Sequence, residues 1–144
     1  MVNAVINTGC GDLGNRTLAL RFEEDEDGKP IGIYLITPHY GTEDNTRLSK
    51  IGKNLSNKLR SGGSLKEIIG ELKTNHGKRM EVKEGPDEIQ YCDSLEDYAY
   101  KFMSMHYLGD LNCADNLDAL KGPDGEIDYS RIRGYKSGFL KTPS

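Results

Sequence analysis

The sequence predicts an α+β protein in which a β-hairpin packs on an αα-hairpin, with a further strand and a third helix. Three observations lead to this prediction. Apolar residues alternate with other residues beside an Asp-Gly turn near the start of the chain, and this alternation has the period of a strand. Two later segments repeat apolar residues at helical spacing. A double glycine separates those segments, which is typical of a helix end.

The hairpin is predicted for residues 17–37. Leu18, Leu20 and Phe22 fall on one face of its first strand. The stretch "EEDEDGKP" supplies the turn, and "IGIYLIT" supplies the second strand. A solvated acidic turn is therefore expected between two half-buried strands.

Two helices are predicted next, at about residues 43–61 and 64–75. Thr42 is a suitable N-cap for the first helix. Gly62 or Gly63 can adopt the left-handed conformation that ends it. Ser64 and Glu67 have the spacing of a capping box, which starts the second helix at once. The sequence thus predicts two helices held at a fixed angle.

The rest of the chain is predicted to hold an extended segment at 78–92 and a third helix at 94–107. Ser94 and Asp97 again have capping-box spacing. Beyond this helix the apolar pattern weakens and the chain becomes rich in glycine and basic residues. We therefore expect an α+β domain at 1–108 and a C-terminal extension at 109–144 that is partly irregular and basic.

Composition narrows the class of protein. A chain of 144 residues has the length of one domain. Its charged fraction of 29% fits a polar globular protein, and no apolar run approaches the roughly 20 residues that cross a bilayer. The start of the chain lacks the basic and apolar regions of a signal peptide. We expect a cytoplasmic protein with no membrane partner and, at a net charge of -4, no strong binding to nucleic acid.

Several motifs between residues 6 and 104 resemble the TSCPD domain. They are "NTGCGDL", the turn "EDEDGKP", "IGIYLIT", the helix break "LRSGGSLKEIIGELK" and "YCDSLEDYAYKF". The family has Cys-Pro-Asp where this chain has Cys92 followed directly by Asp93. It is found near the C-terminus of adenosylcobalamin-dependent ribonucleotide reductases and as free-standing small proteins, including phage-encoded ones. Because 144 residues cannot hold the reductase barrel, the resemblance implies an accessory or binding module.

Two functions follow from this resemblance. The first is a non-catalytic module that binds a nucleotide or nucleotide-derived signal. In a phage-type protein it would sequester a host immune signal, such as a cyclic nucleotide or an ADP-ribose derivative. The alternative is a protein-interaction or assembly domain accessory to ribonucleotide reductase, with no small ligand. The sequence shows no catalytic triad or phosphate-binding loop motif, so we expect no enzyme activity and no cofactor.

Two basic segments are candidate ligand sites. At the start of the first helix, free amides and a close backbone approach would suit a phosphate. An ordinary capped helix with a solvated basic face is the alternative there. In the basic C-terminal extension, guanidinium groups beside aromatic rings would suit a nucleotide. The candidate ligand-binding residues are Gly41, Thr42, Arg47, Lys50, Asn54, Arg131 and Arg133.

The cysteines and tyrosines allow two further expectations. Three widely spaced cysteines fit reduced thiols or metal ligands better than disulfides. No metal site is expected, although Cys10, His76 and Cys92 could form a tetrahedral zinc site if the family topology brings them together. A small domain with eight tyrosines gains from burying a shared surface, so we expect a homo-oligomer.

Overall fold

A computed structural model describes the protein at residues 2–10, 16–36, 43–73, 80–84 and 88–141. The fold is α+β, as predicted. The strands are β1 (Val2–Cys10), β2 (Arg16–Glu24), β3 (Pro30–Ile36), β4 (Met80–Glu84) and β5 (Tyr91–Cys92). The helices are α1 (Glu43–Arg60), α2 (Leu65–Gly70), α3 (Leu95–Leu108) and α4 (Arg133–Ser137). None of the helices within these ranges is long and apolar enough to cross a membrane.

The strands form one sheet in the order β3-β2-β1-β4-β5, and neighbouring strands are antiparallel. The predicted hairpin is confirmed as β2 and β3, with Leu20 opposite Leu35 and Phe22 opposite Ile33. The sequence analysis did not predict β1, which is the central strand of the sheet. The predicted extended segment is present as β4 and β5.

The hairpin turn is organised by the carboxylate of Asp25. Its Oδ1 atom accepts hydrogen bonds from the amides of Asp27 and Lys29, each at 2.9 Å. The Asp25 carbonyl accepts from the amide of Gly28 at 3.0 Å. Short polar side chains that bond to the backbone two to four residues ahead are typical of tight turns. The acidic turn therefore has a structural role.

The double glycine ends α1 in a Schellman motif. The amide of Gly63 donates to the carbonyl of Lys58 at 3.0 Å, and the amide of Gly62 donates to the carbonyl of Leu59 at 3.1 Å. Gly62 has a φ of +83°, a conformation that residues with a side chain rarely adopt. The predicted break between two helices is confirmed.

Capping side chains begin both later helices, as predicted. Ser64 accepts from the amide of Glu67 at 3.4 Å, and Ser94 accepts from the amide of Asp97 at 2.9 Å. The second helix is shorter than the predicted 64–75. Beyond Gly70 the chain continues in turns, with bonds such as Lys73 N to Gly70 O that span three residues. A glycine favours this early end because it has low helix propensity.

Helix α3 forms the centre of the core. It packs on the sheet face that carries Leu18, Leu20 and Phe22, all of them fully buried. The ring of Phe22 stacks on Phe102 at 5.5 Å and meets Tyr107 edge-on at 5.3 Å. Such ring pairs add about 0.5–1.5 kcal/mol each beyond the burial of their area.

The C-terminal extension packs against α3. Ile132 is fully buried, and the backbone of Gly134 lies so close to the carbonyl of His106 that a Cβ would collide with it. The carboxylate of Asp115 accepts from the amides of Gln90 and Tyr91, each at 2.9 Å. The extension thus contacts both α3 and the segment at Gln90 and Tyr91. The domain boundary at residue 108 stays a prediction.

Candidate functional site

The predicted anion site at the start of α1 is only partly visible. Gly41 and Thr42 lie outside the described residues. The guanidinium of Arg47 forms an ion pair with Glu96 on α3, and both its Nε and a terminal nitrogen lie 2.9 Å from Glu96 Oε1. This contact neutralises Arg47 and ties α1 to α3. Lys50 and Asn54 are exposed on α1 and make no hydrogen bond or ion pair to another described residue.

The two predicted arginines of the extension have structural partners. Arg133 makes two hydrogen bonds to the carboxylate of Glu24, one of them from Nε at 3.0 Å. Arg131 pairs with Asp128 at 3.3 Å and donates to the carbonyl of Ala119 at 2.9 Å. Their charges are therefore engaged within the protein. Neither of the two cavities described below is lined by these arginines, by Lys50 or by Asn54.

Glu24 is the centre of a buried polar cluster. It is 1% exposed, and its Oε2 atom accepts from the hydroxyl of Tyr107 at 3.1 Å. Burial, together with the Glu24 charge, raises the pKa of Tyr107 far above its ordinary value. The residue before Tyr107 is His106. Its Nδ1 atom accepts from the amide of Arg133 at 3.0 Å, and its Nε2 atom lies 3.2 Å from Glu88. These contacts attach the extension to the domain.

The proposed zinc ligands are not adjacent in the sheet. Cys10 is opposite Val82, and Cys92 is opposite Met80, so β4 separates them. Their backbones are two strand spacings, roughly 10 Å, apart. His76 lies outside the described residues, and no group of three potential metal ligands occurs within the part of the chain that is described. Zinc binding by these residues stays a prediction.

A groove between α1 and β3 is the best candidate site, and we name it the α1–β3 groove. It has a volume of about 540 Å³, within the range of small-molecule sites. One wall is formed by the strands and the other by the helix. Its lining residues are Arg21, Glu23, Ile33, Tyr34, Leu35, Ile36, Ser49, Gly52, Lys53, Ser56, Asn57 and Arg60.

Helix α1 forms this groove because it lies against the free edge of β3. Ser56 Oγ accepts from the amide of Ile33 at 2.8 Å and donates to the carbonyl of Ile33 at 3.0 Å. A Cβ on Gly52 would lie 3.0 Å from the same carbonyl oxygen. Gly52 therefore allows α1 to approach β3 closely, and Ser56 provides the hydrogen bonds that the backbone of Ile33 needs at the sheet edge. The helix replaces a neighbouring strand.

The pleat of the hairpin determines which side chains form the strand wall. Leu20 and Phe22 point into the core, so the intervening Arg21 and Glu23 lie on the opposite face. Tyr34 is opposite Arg21 and shares this face. On the helix wall, polar side chains recur every three or four residues. They are Ser49, Lys53, Asn57 and Arg60.

One end of the groove is occupied by a hydrogen-bonded network. The hydroxyl of Tyr34 donates to Glu23 Oε1 at 2.5 Å and accepts from Arg60 at 3.2 Å. A second guanidinium contact brings Arg60 to within 3.8 Å of Glu23 Oε2. The positive charge of Arg60 is thus balanced by Glu23, and the ring of Tyr34 is held in place.

The remaining charges of the groove are not balanced. Arg21 and Lys53 line it, and the side chain of neither makes a hydrogen bond or an ion pair to another described residue. Both are exposed, so they are accessible to a ligand. Cations beside a half-buried aromatic ring are suited to an anionic ligand with a flat ring. The sequence analysis missed these residues, although the helical spacing of Lys53 and Arg60 was a usable signal.

A second cavity lies at the helix break and is less suited to binding. It has a volume of about 640 Å³ and is lined by residues on both sides of Gly62 and Gly63. Its only lysine, Lys58, is already 2.5 Å from Glu71. Since Glu67 also lines this cavity, it has no excess of positive charge. It offers little to attract an anion.

Comparison of the chain with models of known protein families, with curated proteins and with solved structures finds no match.

Proposed function

We propose that this protein is a non-catalytic module that binds a nucleotide or a nucleotide-derived signal in the α1–β3 groove. The observation that carries this proposal is the pair Arg21 and Lys53, two cations that line one groove without a partner among the described residues. A phosphate would form charge-assisted hydrogen bonds with both side chains. The ring of Tyr34 offers a face on which a base can stack.

The resemblance of residues 6–104 to the TSCPD domain supports the biological part of the proposal. In a free-standing, phage-type protein of the cytoplasm, such a groove serves to sequester a host immune signal. A cyclic nucleotide or an ADP-ribose derivative has the phosphates and the base that the groove would contact. Sequestration requires tight binding and no chemical step, which fits a groove of cations, amides and a tyrosine.

The first experiment asks whether the purified protein retains a ligand. The protein is denatured by heat, and the supernatant is analysed by liquid chromatography and mass spectrometry for phosphorylated compounds. Any nucleotide that is found, with ADP and a cyclic dinucleotide as reference probes, is then titrated calorimetrically into the wild type and into Arg21→Gln and Lys53→Gln. Loss of one charged contact should weaken binding roughly tenfold to a hundredfold.

Lys66→Gln is the matched control, because Lys66 is an exposed lysine of α2 outside the groove. This variant also loses one positive charge, and its affinity should stay within about twofold of the wild-type affinity. Equal affinity in wild type, Arg21→Gln and Lys53→Gln would exclude the groove as the site. No binding of any probe, with no retained compound, would exclude the function itself.

The alternative function is an assembly domain without a small ligand, and one observation favours it. Ile36 is 44% exposed at the edge of the sheet, where the groove opens. An exposed apolar side chain at that position suits a second protein chain. We propose a homo-oligomer in either case. Light scattering that gives the 16.0 kDa mass of one chain at micromolar concentration would contradict it.

A further inference from the structure

The α1–β3 groove contains one acidic side chain among its cations. Glu23 lines the groove beside Arg21 and Arg60, and its side chain is 26% exposed. A carboxylate repels a phosphate at close range, so Glu23 helps to bind a phosphate only indirectly, by balancing Arg60 and holding the ring of Tyr34. The acceptor capacity that Glu23 keeps beyond these contacts can serve a second part of the ligand.

Glu23 has unused capacity to accept hydrogen bonds. A carboxylate offers about four acceptor positions. Among the described residues, Glu23 accepts one hydrogen bond, from the hydroxyl of Tyr34 at 2.5 Å. Its Oε2 atom is 3.8 Å from Arg60, which is too long for a hydrogen bond. Oε2 can thus accept from a donor on the ligand, and hydroxyl groups are the donors that nucleotides and sugar phosphates have in common.

The carboxylate of Glu23 and the two cations Arg21 and Lys53 lie in different parts of the groove. Helix α1 runs antiparallel to β3, with Arg60 next to Gly32 and Gly52 next to Tyr34 and Leu35. Lys53 is seven residues from Arg60, which is roughly 10 Å along the helix. Arg21 and Glu23 are two residues apart on one strand face, which is roughly 7 Å. A pentose phosphate has its hydroxyls and its phosphate at opposite ends and can bridge this spacing.

We infer that Glu23 makes the groove selective for a phosphate carried on a pentose with free vicinal hydroxyls. This inference rests on the proposed function, since it assigns a sugar to the site whose phosphate lies at Arg21 and Lys53. Carboxylates accept hydrogen bonds from ribose hydroxyls in dinucleotide sites on other folds. The ligand class is a ribose phosphate, whether it comes from a ribonucleotide or from a free sugar phosphate.

The test compares two nucleotides that differ only in the ribose hydroxyls, and adds a sugar phosphate without a base. ADP, 2′,3′-dideoxy-ADP and ribose 5-phosphate are titrated calorimetrically into the wild type, Glu23→Gln and Glu26→Gln. The wild type should bind ADP roughly tenfold to a hundredfold more tightly than dideoxy-ADP, as expected for one hydrogen bond to a charged group. In Glu23→Gln this ratio should fall at least several-fold. Glu26, an exposed acid of the hairpin turn outside the groove, is the charge-matched control and should keep the wild-type ratio.

The outcomes separate this inference from the proposed function. If Arg21→Gln weakens both nucleotides but the wild type binds them equally, the role of Glu23 is wrong and the groove remains the site. If no phosphorylated probe binds, both proposals are wrong. Tighter binding of ADP than of ribose 5-phosphate assigns the ligand to the ribonucleotides, and the reverse order assigns it to free sugar phosphates. The wild-type ratio tests the inference even if Glu23→Gln fails to fold, which a thermal melt would reveal.

Discussion

The hydroxyl of Ser56 makes both hydrogen bonds that the backbone of Ile33 would otherwise make with a neighbouring strand. Both residues are buried, with Ser56 at 3% and Ile33 at 0% exposure. Replacing Ser56 with alanine leaves a buried amide and a buried carbonyl without partners. Each unsatisfied group costs about 1–3 kcal/mol.

We therefore expect Ser56→Ala to lower the free energy of unfolding by about 2–4 kcal/mol, measured by urea denaturation. Ser61→Ala is the control, because the Ser61 hydroxyl is exposed and its one bond within the described ranges goes to the carbonyl of Asn57. It should change stability by no more than about 0.5 kcal/mol. Equal effects of the two variants would mean that Ser56 does not support the strand edge.

Two helical glycines should respond in opposite ways to alanine. A methyl group on Gly52 would lie 3.0 Å from the carbonyl oxygen of Ile33, whereas at Gly70 it would meet no atom of the described residues within 4 Å. Alanine is better than glycine in a helix by about 1 kcal/mol. Gly70→Ala should therefore raise the melting temperature, and Gly52→Ala should lower it because α1 must move away from β3. A stabilised Gly52→Ala would show that the helix can shift freely.

Removing only the arginine of the Glu24–Arg133 ion pair should strongly lower the free energy of unfolding. Arg133→Met leaves a carboxylate that is 1% exposed without its partner, and breaking a buried pair in this way costs about 3–5 kcal/mol. Arg131→Met removes an exposed arginine whose contacts with Asp128 and the Ala119 carbonyl are open to solvent, so its loss should have a much smaller effect.

Denaturant titration of both variants gives the comparison. The double variant Glu24→Gln with Arg133→Met should recover part of the loss, because it removes the buried charge as well as its partner. Similar stability of Arg133→Met and Arg131→Met would contradict the structural role assigned to Glu24.

The raised pKa of Tyr107 predicts a loss of stability in alkali. Above about pH 10, tyrosine in the unfolded chain loses its proton, while Tyr107 in the folded protein keeps it. The stability that this difference provides is fully present below pH 10 and declines as the pH rises beyond it, by up to about 1.4 kcal/mol per pH unit.

Denaturant midpoints measured between pH 8 and pH 11 test this directly. Tyr107→Phe should show a shallower decline than the wild type over the upper part of that range. Tyr100→Phe serves as the control, since the Tyr100 hydroxyl bonds to no other described residue and Tyr107 is retained. Identical slopes in all three proteins would rule out Tyr107 as a source of the alkaline sensitivity.

The sequence predicted those parts of the fold whose signals are local. Ser64 and Ser94 were identified as caps because a cap and its partner amide are three residues apart. The Schellman motif at Gly62 was predictable for the same reason. The central strand β1 was missed, although Val2, Ala4 and Ile6 alternate with other residues. Its place in the sheet depends on pairing with β2 and β4, which no local pattern specifies.

The candidate site was less accessible to sequence analysis. The basic residues of α1 were recognised, but Arg47 pairs with Glu96, which is 49 positions away. Arg21 and Lys53 share a groove only because α1 lies on the edge of β3. Which cation is neutralised and which remains available is decided by contacts between distant segments. Such contacts cannot be inferred from residue spacing in one chain.

The contact between Glu24 and Arg133 joins segments that are 109 positions apart, and this separation has a consequence during synthesis. Ribosomes add roughly 5–20 residues per second, so Arg133 emerges about 5–20 seconds after Glu24. Throughout that interval the carboxylate of Glu24 in the hairpin lacks its partner, the guanidinium of Arg133. The nascent chain therefore cannot form this buried ion pair until the extension is translated. Ribosome-bound chains stalled before Arg133 should be cleaved rapidly by protease, and released full-length chains should resist.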